Sequence, residues 1–419
     1  MPGLRHQDVQ DRSLIEHLPG SPAGKPLFHR PPNSGGRFRV SAPLEWSPVD
    51  AGAAQPVLAI DLGGTQIRAA HVAPDLTVSL RRAIPTNGVE GPDAVIGRIC
   101  SIAAEVRAQA NREGLPEPSG IGISSPGPLD PWRGVVVLPP NLPGWVDIPL
   151  ADRVENQLGM PTYLERDTNV AMMAEWRYGS ARNADDAIYI TVSTGIGGGI
   201  IARGEPLQGP DNTAGEVGHM TIDIDGPLCG DGMQGHAEAI GSGTAIARDG
   251  RLLLENGESP ILAQLVAGGR DVDAALVAEA AEAGDDACRA IYERAYVAVG
   301  VLCASLVNAL NPQVIVIGGS IAEHHPVLRE VARREIDSRA FRGPARRVRV
   351  TSPRFTDDVS LIGSLPIVNE RMNDPAYRRA SNAGGSSPIT ANVAAGLPSD
   401  AGSKTVERVG GQTQLEEPR

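Results

Sequence analysis

The chain has 419 residues, of which 41% are hydrophobic and only 3% aromatic. It is therefore long enough for two domains whose cores are built from Val, Ile, Leu and Ala. Its 38 basic and 50 acidic residues give a formal net charge of −12, which disfavours nucleic acids and anionic membrane surfaces as main partners. We expect no membrane span, because no apolar run approaches the ~20 residues that a span needs.

The two ends of the chain differ in composition from its middle. Residues 1–55 are rich in Pro, Gly, Arg and His, and residues 373–419 are poor in apolar side chains. We expect both to be disordered tails. Prolines also interrupt the first tail, at positions Pro19, Pro22, Pro26, Pro31 and Pro32. They break any run long enough for a helix-turn-helix, so we do not expect an N-terminal DNA-binding domain.

Between the tails, short buried strands alternate with helices. This pattern predicts an α/β fold with mostly parallel pairing. The predicted strands cover residues 58–62, 67–72, 120–123, 188–192, 198–201 and 314–317, and the predicted helices cover 94–113, 168–178 and 286–309.

Two hydrophobic strands each run into a glycine-rich turn that carries hydroxyl groups. The first segment is Val57–Thr65 and the second is Ala187–Gly199. Glycines allow backbone N–H groups to approach an anion, and Ser/Thr hydroxyls add further donors. The repeated strand–turn–strand layout predicts a nucleotide held between two related halves.

Several motifs in a fixed order resemble the ROK family of bacterial sugar kinases and repressors. They are Asp61-Leu-Gly-Gly-Thr65, Ser125-Pro-Gly-Pro128, Asn141-Leu-Pro-Gly-Trp145, Glu165-Arg-Asp-Thr-Asn169, Ser193-Thr-Gly-Ile-Gly-Gly198, Gly215-Glu-Val-Gly-His219 and Gly318-Gly-Ser320. The resemblance spans roughly residues 57–370. It implies the actin-like ATPase (ribonuclease H-like) fold, with duplicated βββαβα cores in two lobes around a cleft. We expect an N-terminal lobe at 57–167 and a C-terminal lobe at 168–369, whose final helix crosses back.

The resemblance places the catalytic base of a sugar kinase at Asp167. Phosphoryl transfer requires a positioned acceptor hydroxyl and a group that takes its proton, which a carboxylate can do. An Asp at the start of a helix is also a common N-cap, and both roles can coexist.

The same resemblance implies a Mg-ATP site. Asp61 would orient Mg²⁺ through water, and one carboxylate with phosphate oxygens is enough for this ion. The implied phosphate contacts are Gly63, Gly64 and Thr65 in the first turn and Thr194, Gly195 and Gly197 in the second. Gly318 and Gly319 would lie beside the adenosine. The structural alternatives are an ordinary strand-end turn for the first motif and a packing turn for the last.

The sugar-contacting positions implied by the family are Asn141, Glu216, His219 and Glu238. Carboxylates and amides suit polyols because they form paired hydrogen bonds with neighbouring hydroxyls. Asn141 could instead be a loop residue before Pro143, and Glu238 a solvated helix carboxylate. Arg166 departs from the family, which usually has Asn there. The side chain either points away and pairs with Glu165 or Asp167, or it reaches an anionic or modified substrate.

A metal loop of the family is also altered. Many members hold a structural Zn²⁺ with one His and three Cys, whereas this chain has Cys229, Asp231 and His236 after His219. Asp and His are both acceptable zinc ligands. The four residues therefore either form a mixed zinc site or, with zinc lost, hold the loop through hydrogen bonds.

Two classes of function are compatible with these motifs. The first is an ATP-dependent hexose kinase, with glucose as the leading acceptor before N-acetylglucosamine and N-acetylmannosamine. The second is a sugar-sensing regulator or another kinase-like protein without turnover. The retained Asp167 and the absence of a predicted helix-turn-helix favour the kinase. Four widely spaced cysteines are typical of a reduced, cytoplasmic enzyme, and the family is commonly homodimeric.

Overall fold

The computed structural model describes residues 54–377. Its first half contains one five-stranded sheet and a small two-stranded ribbon. The strands are β1 (Val57–Leu62), β2 (Gln66–Val72), β3 (Val78–Pro85), β4 (Ile121–Ser125), β5 (Leu129–Asp130), β6 (Val135–Val136) and β7 (Thr162–Arg166). The sheet order is β3-β2-β1-β4-β7, and β5 pairs with β6. The first three strands pair antiparallel, whereas β1, β4 and β7 run parallel.

The second half repeats this arrangement. Its strands are β8 (Ala187–Val192), β9 (Ile196–Ala202), β10 (Glu205–Pro206), β11 (Val314–Gly318) and β12 (Arg349–Thr351). Their order is β10-β9-β8-β11-β12. Again the first three pair antiparallel, and β8, β11 and β12 run parallel. The duplication predicted from the two strand–turn segments is confirmed.

Helices cover both sheets. They are α1 (Pro92–Arg112), α2 (Leu150–Leu158), α3 (Asp167–Arg177), α4 (Glu238–Gly241), α5 (Gly243–Glu255), α6 (Pro260–Val266), α7 (Ala274–Glu282), α8 (Asp286–Leu310), α9 (Ser320–His324), α10 (Val327–Arg339), α11 (Arg342–Arg347) and α12 (Val359–Arg371). The predicted long helices agree with α1, α3 and α8 to within two residues at each end. One difference matters for the site: the predicted helix begins at residue 168, whereas α3 begins at Asp167 itself.

Alternate residues of β1 explain how the first sheet is covered on both faces. Leu58 and Ile60 pack in one cluster with α1 and α2. Val57 and Ala59 point the other way and pack against Leu361 and other residues of α12. The last helix therefore returns to the first sheet. It also packs against α3, which itself covers β8 and β9 of the second sheet.

Helix α8 changes one expectation from the sequence. By length and composition it is long and apolar enough to cross a membrane, so the statement that no apolar run has this length is wrong. Most of this stretch is buried. Val299, Leu302 and Cys303 belong to the core cluster that also contains residues of β8, β11 and α10. Packing against the second sheet accounts for the apolar character of α8.

The described residues extend slightly into both predicted tails. The backbone of Gln55 exchanges hydrogen bonds of 2.8 and 3.0 Å with the Asn369 side chain. At the other end, the Tyr377 ring lies 4.3 Å from the Arg371 guanidinium. The folded part therefore reaches further than the composition predicts, and the remainder of both tails lies outside the described residues.

The contact between α12 and α3 depends on a glycine. A Cβ atom added at Gly363 would lie 2.1 Å from the Val170 carbonyl oxygen. We therefore expect Gly363→Ala to force the two helices apart and to lower the free energy of unfolding by about 1–3 kcal/mol. Urea titration at equilibrium measures this change.

Gly343→Ala is the matched control, because this helical glycine has no atom within 4 Å of an added Cβ. It should be neutral or stabilising, since Ala is the better helix former by about 1 kcal/mol. Equal urea midpoints for the two variants would contradict the packing role of Gly363.

Candidate active site

The site is organised by the junction at which β7 runs directly into α3. Arg166 ends the strand and is the N-cap residue of the helix, and Asp167 is the first helical residue. The Asp167 Oδ1 atom accepts a hydrogen bond of 2.7 Å from the Thr168 N–H. Asp167 therefore satisfies one N–H group of the first helical turn, although it is not the N-cap residue. Its carboxylate remains open to solvent.

The electrostatic surroundings of Asp167 are unusual for an open carboxylate. Desolvation by the surrounding protein raises its pKa to about 6. The Thr168 N–H and the Arg166 charge oppose this rise, whereas the carboxylates of Asp61 and Glu216 add to it. Two other carboxylates therefore act electrostatically on Asp167. A carboxyl group with a pKa near neutrality is suited to proton transfer.

Arg166 does not pair with Glu165 or Asp167, which corrects the first interpretation from the sequence. Its guanidinium forms an ion pair with Glu216, 50 positions further along the chain. It also donates to the carbonyl oxygens of Ala214 (2.7 Å) and Gly198 (3.2 Å). Its side chain is only 3% exposed, which also argues against the alternative in which it reaches a substrate. The guanidinium points away from solvent, but its partner is a predicted sugar ligand.

Glu165 is directed into the protein instead. Its side chain is 1% exposed and forms an ion pair with Arg371 at the end of α12. The side-chain amides of Asn169, Gln208 and Asn212 donate to it over 3.0–3.1 Å. Burial alone would raise the pKa of Glu165, but the adjacent Arg371 guanidinium, the Arg166 N–H and the Asn169 amide lower it overall. Glu165 thus ties the last helix to the strand that presents Asp167.

The first glycine-rich turn is held by side chains that the motifs did not indicate. Arg68 donates to Oδ2 of Asp61 from both Nε (3.0 Å) and Nη2 (2.7 Å). Asp61 and Arg68 are directly opposite each other in the β1–β2 pair. An acidic and a basic residue equally spaced from a short turn form such a cross-strand pair, so the sequence contained this signal. The Thr86 hydroxyl further anchors the turn through the Gly63 carbonyl.

The second turn is held from two sides. The hydroxyl of Thr244 at the start of α5 donates to the Thr194 carbonyl over 2.8 Å. The hydroxyls of Ser193 and Ser320 lie 2.9 Å apart, which brings the Gly318–Gly319 segment beside this turn. Gly318 ends β11, and Gly319 has a φ of 91°. Gly197 lies in β9 rather than in the turn, and an added Cβ would lie 2.6 Å from Thr168 of α3.

Both turns leave backbone donors free. The N–H groups of Gly64, Thr65, Thr194 and Gly195 donate no hydrogen bond within the part of the chain that the structure describes. All four residues lie between paired strands rather than in them. Successive free N–H groups in a turn form an anion-binding concavity. Each of the duplicated turns is therefore suited to hold phosphate oxygens.

Two of the predicted sugar residues lie against these turns. Asn141 lies against the first turn, since a Cβ added at Gly64 would be 3.3 Å from the Asn141 Cβ. Glu238 lies against the second, where its Oε2 accepts from the Ile196 N–H over 2.7 Å. Asn141 and Glu216 are exposed, and Glu238 and His219 are partly buried. Glu238 is therefore not a freely solvated helix carboxylate.

His219 also contributes to a compact cluster of potential metal ligands. Atoms of His219, Cys229, Asp231 and His236 all lie within 4.8 Å of one another. The Asp231 Oδ2 atom lies 3.0 Å from Nδ1 of His219 and 3.3 Å from Nδ1 of His236. The two Nδ1 atoms are 3.3 Å apart, and Cys229 Sγ lies 4.0 Å from Nδ1 of His219. A tetrahedral zinc site with bonds of about 2.0–2.3 Å separates its ligand atoms by about 3.3–3.8 Å. The donor set fits this ion.

The sequence matches the ROK family over residues 57–371. The chain belongs to the ROK family. It is 30% identical over 316 residues to a glucokinase from Thermotoga maritima, an alignment that covers 75% of this chain and 98% of the relative. It is 34% identical over 264 residues to an N-acetylmannosamine kinase from Citrobacter koseri, covering 63% of this chain and 83% of the relative.

A solved ROK structure also matches the fold. The ROK glucokinase from Streptomyces griseus in complex with glucose and AMPPNP superposes with a TM-score of 0.63 at 27% identity. The match covers 74% of this chain and 98% of that one. The ROK protein described here thus has the actin-like ATPase fold predicted from its motifs.

A separate cavity of about 360 Å³ lies next to the Glu165–Arg371 pair. Met172, Ile201 and Tyr377 are among its lining residues, and none of the predicted sugar, nucleotide or metal residues of this ROK protein contributes to it. The predicted site residues therefore lie outside this cavity.

The buried Glu165–Arg371 pair gives a prediction for stability and its pH dependence. Arg371→Met leaves an unpaired buried carboxylate and should lower the free energy of unfolding by about 3–5 kcal/mol at pH 7. In the wild type, the lowered pKa of Glu165 stabilises the fold above the ordinary Glu pKa. This stabilisation decreases once the pH falls below the ordinary value and is lost as the pH falls through the lowered pKa of the folded state. The difference between variant and wild type should therefore shrink near pH 4. Urea unfolding at both pH values measures it.

The exposed Arg81–Asp358 pair provides the control. Arg81→Met should cost about 1 kcal/mol or less. A similar small loss in Arg371→Met, with no change between the two pH values, would show that the buried pair does not tie α12 to β7.

Proposed function

We propose that this protein transfers the γ-phosphoryl group of ATP to a hydroxyl of a hexose, with glucose as the leading acceptor. The observation that carries the proposal is the open Asp167 carboxylate, with its raised pKa of about 6, at a site with two turns of free N–H groups. The glucokinase relative and the complex with glucose and AMPPNP support both the reaction and the acceptor.

In this proposal Asp167 is the general base that takes the proton of the acceptor hydroxyl. Little covalent chemistry is required of a protein in phosphoryl transfer, so its main tasks are positioning and electrostatic stabilisation, with a base that accepts the proton of the acceptor hydroxyl. The N–H groups of Gly64, Thr65, Thr194 and Gly195 would bind phosphate oxygens, with Gly63 and Gly197 shaping the turns. Gly318 and Gly319 would lie beside the adenosine.

Asp61 would hold Mg²⁺ through water. Both hydrogen bonds from Arg68 go to Oδ2, so Oδ1 is left without a donor among the described residues and can accept from a metal-bound water. When bound, Mg²⁺ supplies neutralisation of phosphate charge. Asn141, Glu216, His219 and Glu238 would bind the sugar hydroxyls.

A second acceptor class is favoured by one observation. The N-acetylmannosamine kinase relative shares 34% identity with this chain, so a 2-acetamido sugar is the alternative substrate. Measuring ADP release with Mg-ATP and a panel of glucose, mannose, N-acetylglucosamine and N-acetylmannosamine separates these acceptors. Sugar binding without ADP release from any acceptor would favour the sensor and contradict the proposed kinase.

Substitution of the general base provides the most direct mutational test. We expect Asp167→Asn to retain the fold and to reduce kcat by at least ~10²-fold, the usual effect of losing a general base. The same coupled ADP assay measures the effect, and circular dichroism verifies the fold.

The pH dependence of wild-type activity tests the same role of Asp167 without a substitution. Activity of the wild type should fall below about pH 6, because Asp167, with its pKa of about 6, is then protonated and cannot accept a proton. Near-normal turnover in Asp167→Asn would remove the residue from this role.

We also propose that His219, Cys229, Asp231 and His236 bind one structural Zn²⁺. His219 Nδ1 faces the cluster, which leaves Nε2 for the sugar, so one ring can serve both sites. Elemental analysis should find about one zinc per chain, and Asp231→Asn should reduce both this content and the thermal unfolding midpoint.

Asp225→Asn is the control, because Asp225 lies exposed in the same segment and outside the cluster. It should retain the metal. Less than about 0.2 zinc per chain in the wild type as isolated would contradict the site.

A further inference from the structure

Arg166 is a deeply buried charged side chain next to the proposed sugar site. It is 3% exposed, and its guanidinium contacts Glu216, the Ala214 and Gly198 carbonyls and, at 3.3 Å, the Asn169 amide oxygen. Two glycines make room for it. An added Cβ at Gly127 would lie 3.2 Å from Cδ of Arg166, and one at Gly215 would lie 3.1 Å from Nη2.

The partner of Arg166 is oriented differently with respect to solvent. The Glu216 side chain is 41% exposed, so it can meet a ligand that Arg166 cannot reach. Arg166 therefore acts on a ligand only through Glu216. The segment that carries Glu216 is fixed by the same guanidinium, because the Ala214 carbonyl lies two residues before it.

We propose that Arg166 is a positioning residue that holds Glu216 in a fixed orientation as an acceptor for hydroxyl groups of a neutral sugar. This inference rests on the proposed kinase function and deepens it. A charge-assisted hydrogen bond is stronger than a neutral one and restricts the rotation of both groups. The second oxygen of an ionised carboxylate can only accept hydrogen bonds, so the ligand must present a donor there.

The charges around the site define the class of ligand further. The carboxylates of Asp61 and Glu216 each act on Asp167, the Glu216 side chain is exposed, and Arg166 is too buried to neutralise a ligand. A sugar acid or a sugar phosphate would meet the exposed Glu216 carboxylate and no accessible Arg166 charge. The arrangement therefore selects a neutral acceptor and excludes the anionic substrate that Arg166 at first suggested.

Kinetic double-mutant analysis tests this role. We expect Arg166→Met to raise KM for the sugar by ~10- to 100-fold, the effect of losing one hydrogen bond to a charged group. KM for ATP should change less than about 2-fold. Glu216→Gln should raise the sugar KM similarly. The double variant should have a sugar KM no higher than that of the more impaired single variant, because each substitution removes the same interaction.

Two further variants separate positioning from a general loss of structure. Arg166→Lys should rescue the sugar KM in part, because it keeps the charge but not the planar fork. Arg333→Met is the matched control, since Arg333 also donates to two carbonyls, those of Val348 and Ala345, away from the site. It should leave both KM values unchanged. If Arg166→Met does not fold, Arg166→Lys is the deciding variant. A sugar KM of Arg166→Lys equal to that of the wild type would overturn the inference.

The outcomes distinguish this inference from the proposed function. Multiplicative effects of the two single substitutions, or an equal rise of both KM values, would overturn the role of Arg166 while leaving the kinase intact. A wild type without sugar-dependent ADP release would overturn the kinase. In that case calorimetric titration of glucose into the same variants tests the Arg166–Glu216 pair. Equal glucose affinities in the wild type, Arg166→Met and Glu216→Gln would overturn the proposed role of Arg166 as well.

Discussion

The direct continuation of β7 into α3 is the constraint on which the site depends. Without a loop between them, three consecutive charged side chains leave the backbone in different directions. Glu165 turns inward to Arg371, Arg166 crosses to Glu216, and Asp167 stays open to solvent. Each direction serves a different purpose: anchoring the last helix, fixing a distant loop and presenting a carboxylate.

The duplicated fold supplies the rest of the site. Each sheet carries a hairpin whose turn leaves backbone N–H groups free, and each turn is fixed by side chains from outside the hairpin, Thr86 in one case and Thr244 in the other. Because α3 packs between the last helix and the second sheet, the open carboxylate is held by both halves. This arrangement agrees with the proposal that Asp167 and the two phosphate-binding turns are already in place before a ligand binds.

The sequence could predict the features that depend on local pattern. The hydrophobic runs before Gly63 and Ser193 indicated both hairpins, and the periodicity of α1 and α8 indicated two long helices. Strand β3 was missed because it is an edge strand whose residues are only partly buried or exposed, so it lacks a hydrophobic run. The Asp61–Arg68 pair could have been found, since the two residues flank a short turn in register.

The long-range pairs could not be predicted in the same way. Arg166 and Glu216 are 50 positions apart, and Glu165 and Arg371 are 206 apart. Residue type shows only that each charge needs a partner when buried, and several opposite charges lay nearer in the sequence. The choice of partner depends on how the last helix and the Glu216 segment fold back on β7.

Phosphorus NMR of the reaction mixture tests the central claim most directly. With the wild-type protein, Mg-ATP and glucose, we expect the γ-phosphate signal of ATP to be replaced by a phosphate monoester bound to the sugar, together with ADP. Formation of the ester should require the sugar, the nucleotide and an intact Asp167. Release of inorganic phosphate alone, or an unchanged ATP spectrum with every neutral sugar tested, would contradict the account.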